Sequence, residues 1–223
     1  MIPLRRAVRS AALALLSVPV ALTLTAAPAS ADPRERSQTD TGTDAAAARA
    51  RRMLGQLKVA RPLSIRGYSH RRFQPRWAHH KGACDAREMV LARDGRGVRR
   101  DRKCRAIRGR WYSPYEGKWF RSERLLDVDH VVPLAYAWRS GARRWSQAKR
   151  RAFANDLTRP ELVTVSHSMN IAKGGQGPQS WRPPRRAYWC RYATSWITVK
   201  HHYRLFVTRS ERVALRNMLR TCR

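Results

Sequence analysis

The stretch Leu125-Leu126-Asp127-Val128-Asp129-His130-Val131-Val132-Pro133-Leu134 sets two acids and a histidine into an otherwise apolar run. Such a run reads as a short strand, and Pro133 ends it where a helix can begin. Carboxylates and an imidazole are expensive to bury in it unless they are paired or hold a metal. An aspartate beside a histidine at a strand end places a hard oxygen ligand and a base a few ångströms apart. That is the pairing that hydrolysis of a phosphodiester requires. A divalent cation neutralises the phosphate and the leaving oxygen, and a neutral imidazole takes the proton from water. Asp127 lies two residues from Asp129 and so shares its strand face. The plainer reading is a solvated strand end with an incidental D-x-D-H.

Downstream, Pro133 to Gly141 has the start and stop signals of a helix, and Ser146 caps another that runs to about Ala154. Glu161 to Ser166 alternates like a strand, His167 to Ala172 forms a short helix stopped by Gly174-Gly175, and Arg185 to Tyr203 is helical in its first part. Ser210 caps a final helix through Leu219. Upstream, Asp85 and Glu88 make a D-x-x-E cap before a helix that ends near Gly95. Lys103 to Trp111 and Lys118 to Arg121 read as strands around the turn Ser113-Pro-Tyr-Glu-Gly117. The order of elements is α+β rather than alternating βαβ, and residues 63–223 suffice for one domain.

The N-terminus sets the compartment. Residues 1–31 combine Arg5, Arg6 and Arg9, an apolar stretch from Ala11 and the small-x-small site Ala29-Ser30-Ala31, the pattern of a signal peptide. No later segment is apolar enough to span a bilayer, so the mature chain is expected to be secreted and soluble. Residues 32–62 are rich in alanine and arginine and nearly free of large apolar side chains before Met53, which predicts a flexible basic tail. Within it, Ala45 to Leu57 is helical only against a partner.

The four cysteines, Cys84, Cys104, Cys190 and Cys222, lack the C-x-x-C spacing of zinc or redox sites. An even count in an oxidising compartment favours two disulfides. Three pairings are possible; local loops favour Cys84 with Cys104 and Cys190 with Cys222. Lysine and arginine number 47 against 15 acids, a net charge of +32. Removing the leader takes three arginines and no acid, which leaves +29. A field of that strength attracts polyanions, nucleic acid first among them, and self-repulsion favours a monomer.

Asp127-x-Asp129-His130-x-x-Pro133-Leu134, Trp138-x-Ser140-Gly141-Ala142, Ala154-Asn155-Asp156-Leu157, Asn170-x-x-Lys173-Gly174 and Trp181-x-Pro183 together resemble secreted bacterial HNH-type nucleases. These are similar to the C-terminal domain of Gmr-type restriction enzymes that cut modified DNA. Cys84-Asp85-x-Arg87-Glu88 and the last two cysteines fit the secreted branch, and the resemblance covers about Tyr68 to Cys222. It implies a disulfide-stapled α+β fold with an HNH-like ββα-metal core and additional helices. It implies that Asp129 and Asn170 are metal ligands, with Asp127 a third or an orienting neighbour. His130 would be the general base, Asn155 would hold the connection that aims it, and Lys173 would face the phosphate. Asn170 stands where the motif has its last histidine. Two oxygen ligands favour one hard cation, Mg²⁺ before Mn²⁺, over Zn²⁺. The expected activity is endonuclease cleavage of DNA, or RNA, with low sequence specificity, because phosphate contacts carry no sequence information. The competing expectation is a non-catalytic cationic protein that binds DNA or acidic cell-wall polymers. The remaining histidines, His167 among them, read as surface residues, and the tryptophans as core and rim rather than a base-stacking platform.

Overall fold

The computed structural model describes residues 33–73 and 76–222, so the signal-peptide expectation for residues 1–31 lies outside the described residues. Among the described residues seven α-helices carry the fold: α1 (Pro33–Gln56), α2 (Ala86–Asp94), α3 (Leu134–Arg139), α4 (Gln147–Ala154), α5 (His167–Lys173), α6 (Trp189–His202) and α7 (Arg209–Leu219). The strands are β1 (His79–Lys81), β2 (Cys84–Asp85), β3 (Gly95–Arg100), β4 (Ala106–Ser113), β5 (Lys118–Phe120), β6 (Leu126–His130) and β7 (Leu162–Ser166). They pair antiparallel as β1–β2, β3–β4–β5 and β6–β7, which makes the fold α+β. Cys84 is bonded to Cys104 and Cys190 to Cys222. Among the described residues no helix is long and apolar enough to cross a membrane.

Local chemistry explains most boundaries. Asp85 caps α2 by accepting from the Glu88 amide at 3.0 Å. The Glu88 carboxylate, however, turns away from a capping box and accepts from the Ala106 amide at 2.9 Å, tying α2 to β4. The chain leaves α2 at Gly95 because Trp111 fills the space: a Cβ there would lie 2.5 Å from the indole nitrogen. That nitrogen donates to the Leu91 carbonyl at 2.7 Å, the last turn of α2. The final helix is capped by Thr208 rather than Ser210, in a capping box with Glu211. Buried Glu211 also accepts from Trp196 at 2.7 Å and pairs with Lys200 at 2.6 Å, so one carboxylate fastens α6 to α7.

The expected flexible tail is corrected by the structure from Asp44 onward. There α1 packs on α6 and α7, with Ala47, Ala50, Leu54 and Leu57 buried. Their spacing keeps them on one face. Alanines let the helix approach closely, so a stripe with little apolar area still docks. Arg51 donates to the Leu219 carbonyl at 2.9 Å, where a cation offsets the unsatisfied C-terminal carbonyls of α7. The chain then continues along the body, with the Ala60 amide donating to Val207 at 2.9 Å.

Docking of α1 makes Leu54→Ala a measurable lesion. It should lower the free energy of urea unfolding by about 3 kcal/mol, as truncation of buried leucine does. An unchanged unfolding midpoint would show that the segment does not contribute to the folded core.

Candidate active site

Register and alternation divide β6 between two environments. Leu126 and Val128 point into a small core with Val90, Leu91, Trp111 and Leu162. Asp127 and Asp129 take the opposite face, where α5 packs. Across the ladder Asp127 faces Val165, Asp129 faces Val163 and His130 faces Leu162. Helix α5 starts directly from the end of β7, with Ser166 capping it through the Met169 amide at 3.3 Å. It stops at Gly174, whose φ of 49° is a left-handed value suited to glycine.

Asp129 is buried, and both carboxylate oxygens have partners. Lys173 donates to Oδ1 at 2.8 Å and the Tyr115 hydroxyl donates to Oδ2 at 2.6 Å. Lys173 is wholly buried and also donates to the His130 carbonyl at 2.7 Å. Burial pushes the Asp129 carboxyl up from its usual range, and the Lys173 ammonium draws it back. Burial, reinforced by Asp129, holds the Tyr115 hydroxyl well above its usual value, which keeps it a donor.

The next residue points elsewhere. His130 Nε2 lies 2.8 Å from the Ala154 carbonyl, and its ring stacks on Trp77 at 5.6 Å and 8°. A carbonyl only accepts, so Nε2 carries the proton and the lone pair of the neutral ring falls on Nδ1. Burial lowers the imidazole pKa to about 3; Lys173 and His70 act in the same direction, and the Ala154 bond opposes them. Asn155 does not touch His130. Its Oδ1 accepts from the Ala78 amide at 2.8 Å and its Nδ2 donates to Arg151 at 2.9 Å, which fixes the turn presenting the Ala154 carbonyl.

Asp127 sits at the more open end. Its Oδ2 is 2.9 Å from His167 Nδ1 and 2.9 Å from Asn170 Nδ2. The expected metal set of Asp129, Asn170 and Asp127 is thereby split, with Asn170 on Asp127 and Lys173 on Asp129. Among the described residues no three His, Cys, Asp or Glu side chains cluster as ligands. The side chains that could hold a cation are those at the Asp127 end, where one carboxylate, one amide and one imidazole meet on a part-exposed edge. Asp129 would join it only by giving up the ammonium of Lys173.

Four residues of this region escaped the sequence reading. Tyr115 lies in a turn between strands, and Trp77 sits far upstream of the D-x-D-H. His167 carries no motif, although its place as first residue of α5 put it one turn from Asn170. Glu161 is fully buried, accepts from the Val132 amide at 3.1 Å and has its carboxyl pushed well up by burial, so it clamps the chain that follows β6 to the start of β7.

The chain belongs to the family of GmrSD restriction endonucleases, C-terminal domain, which it matches over residues 87–218. A relative from Arthroderma benhamiae (strain ATCC MYA-4681 / CBS 112371), described as an uncharacterized secreted protein, is 49% identical over 156 residues. The match spans 70% of this chain and 76% of the relative. No solved structure matches the chain. The secreted relative and the two disulfides agree on location: this is a secreted protein of a nuclease-type family.

Two measurements follow from the geometry. Lys173→Met strands the buried Asp129 charge and should destabilise the fold by about 4 kcal/mol in urea, while Asp129→Asn with Lys173→Met recovers much of the loss. A single mutant as stable as the parent would contradict the ion pair. In ¹⁵N NMR, His130 should remain a neutral ring protonated at Nε2 from pH 5 to 8, and a ring titrating near its ordinary value would contradict the buried carbonyl bond.

Proposed function

We propose that the chain is a metal-dependent endonuclease of the HNH (ββα-metal) type that hydrolyses phosphodiester bonds in DNA with low sequence specificity. The observation that carries this reading is the placement of His130: its Nε2 lies 2.8 Å from the Ala154 carbonyl, an arrangement that would leave the Nδ1 lone pair to act as the base. It follows Asp129 directly, in an antiparallel pair β6–β7 that runs straight into α5, the order of parts in a ββα core. Membership in a restriction-endonuclease family supports DNA as substrate. The net charge of +32 supports backbone contacts as the means of holding it.

In this mechanism water attacks phosphorus and loses a proton to His130 Nδ1 as the bond to the leaving oxygen breaks. The Ala154 carbonyl steadies the imidazolium as it forms, and Asn155 keeps that carbonyl in place. Asp127 and Asn170, with His167 beside them, would hold one divalent cation, and its chemistry there is to neutralise the scissile phosphate. The oxygen donors favour Mg²⁺, with Mn²⁺ accepted. Lys173 orders Asp129 and the strand end from below rather than reaching the phosphate itself. Strong self-repulsion suits a monomer.

Plasmid cleavage tests the reading. The oxidised protein should nick plasmid with Mg²⁺ or Mn²⁺ and stop in EDTA. His130→Ala should lose at least about 10²-fold in rate while still binding DNA, as loss of a general base does. Binding without cleavage under every metal would instead favour the cationic binding protein, for which charge alone suffices.

A further inference from the structure

The outer face of the sheet β3–β4–β5 is built at a cost. Arg96 stands directly opposite Arg110, and Arg99 opposite Arg108. All four are exposed, and among the described residues none is in an ion pair. Like charges facing each other across antiparallel strands weaken the pairing, so the arrangement gains nothing from folding alone. A polyanion laid across the strands removes the repulsion.

The same face carries a flat aromatic. Trp119 stands opposite Tyr112 on the neighbouring strand, and the two rings lie 5.2 Å apart. Trp119 is 42% exposed and belongs to neither apolar core. The guanidinium groups of Arg96 and Arg110 lie 4.9 and 5.1 Å from its ring centre, and Arg185 lies 5.5 Å from that of Tyr112. Both guanidinium groups lie over the Trp119 ring, and phosphates that draw them aside would leave that ring face to a base.

The platform lies beside the strand pair β6–β7 that carries the candidate active site. A cavity of about 820 Å³ opens at Arg96, Tyr112 and Trp119 and reaches Leu162 and Val163, the ladder partners of His130 and Asp129. The β4–β5 turn next to it supplies Tyr115 to Asp129.

We propose that this face binds single-stranded nucleic acid and leads it to the site, with Trp119 stacking on an unpaired base and Arg96, Arg108 and Arg110 taking backbone phosphates. The inference rests on nucleic acid being the substrate. The occupant is single-stranded because a duplex hides the faces of its bases, whereas arginines alone would serve a duplex equally well.

The test is fluorescence anisotropy on the full oxidised protein in EDTA, with labelled oligothymidine and a duplex of equal length. Trp119→Ala should weaken oligothymidine binding about tenfold and duplex binding less than twofold, while Trp119→Phe stays near the parent. Arg96→Ser with Arg110→Ser should flatten the salt dependence of oligothymidine binding by about 1.4 in log–log slope, the value for two phosphates on a single strand. Oligothymidine binding unchanged in Trp119→Ala, or equal losses on both nucleic acids, overturns the proposal. So does polyphosphate binding as tight as that of oligothymidine, which would assign the face to polyanions at large. Cleavage of single-stranded DNA with no Trp119 dependence would sink the track and leave the nuclease standing. A Trp119-dependent single-strand affinity without cleavage would sink the nuclease and leave the track.

Discussion

A lysine ammonium with no exposure to solvent, Lys173, joins the last turn of α5 to the end of β6 through the Asp129 carboxylate and the His130 carbonyl. Desolvating that charge is costly, and only full satisfaction by a carboxylate and a carbonyl makes it tolerable. The bond therefore dictates several other features. The helix must follow β7 immediately, so that three turns of chain or fewer bring residue 173 back to residue 129. The second oxygen of Asp129 must have its own donor, which Tyr115 brings from the β4–β5 turn. Tyr115 in turn is wedged among Trp181, Tyr188 and Tyr192, which couples the site to α6.

Around this anchor, three polar positions of one strand end serve three purposes. Asp129 is consumed in structure, His130 stacks its ring on Trp77, and Asp127 looks toward His167 and Asn170 at the open edge. Separating the imidazole from the carboxylates keeps it from pairing with an acid, which would raise its pKa and hold it protonated. A backbone carbonyl orients the ring without that penalty.

Much of this was legible in the sequence, and the parts that were not share a cause. The strand at Leu126–His130, its partner at Leu162–Ser166, the short helix stopped by Gly174 and both disulfides follow from alternation, caps and loop closure, all local signals. The docking of α1 did not, because the signal is a stripe of alanines whose apolar area is small one residue at a time. Strand β3 (Gly-Arg-Gly-Val-Arg-Arg) was missed because its outward positions carry charge and only Val98 packs inward. The pairing of ligands also differed from expectation. The family resemblance set Asn170 beside Asp129, but the rise of α5 past β6 sets Lys173 there and Asn170 one strand period earlier, at Asp127. Tyr115, Trp77 and His167 reach the site only through tertiary contacts that no sequence window contains.

The central claim is that His130 is the base for phosphodiester hydrolysis, and chemical rescue tests it most directly. His130→Gly removes the ring and leaves a space beside the Ala154 carbonyl and Trp77. Added imidazole should restore metal-dependent plasmid cleavage in proportion to its neutral fraction as pH is varied. A folded His130→Gly protein that cleaves as fast as the parent without imidazole would contradict the account.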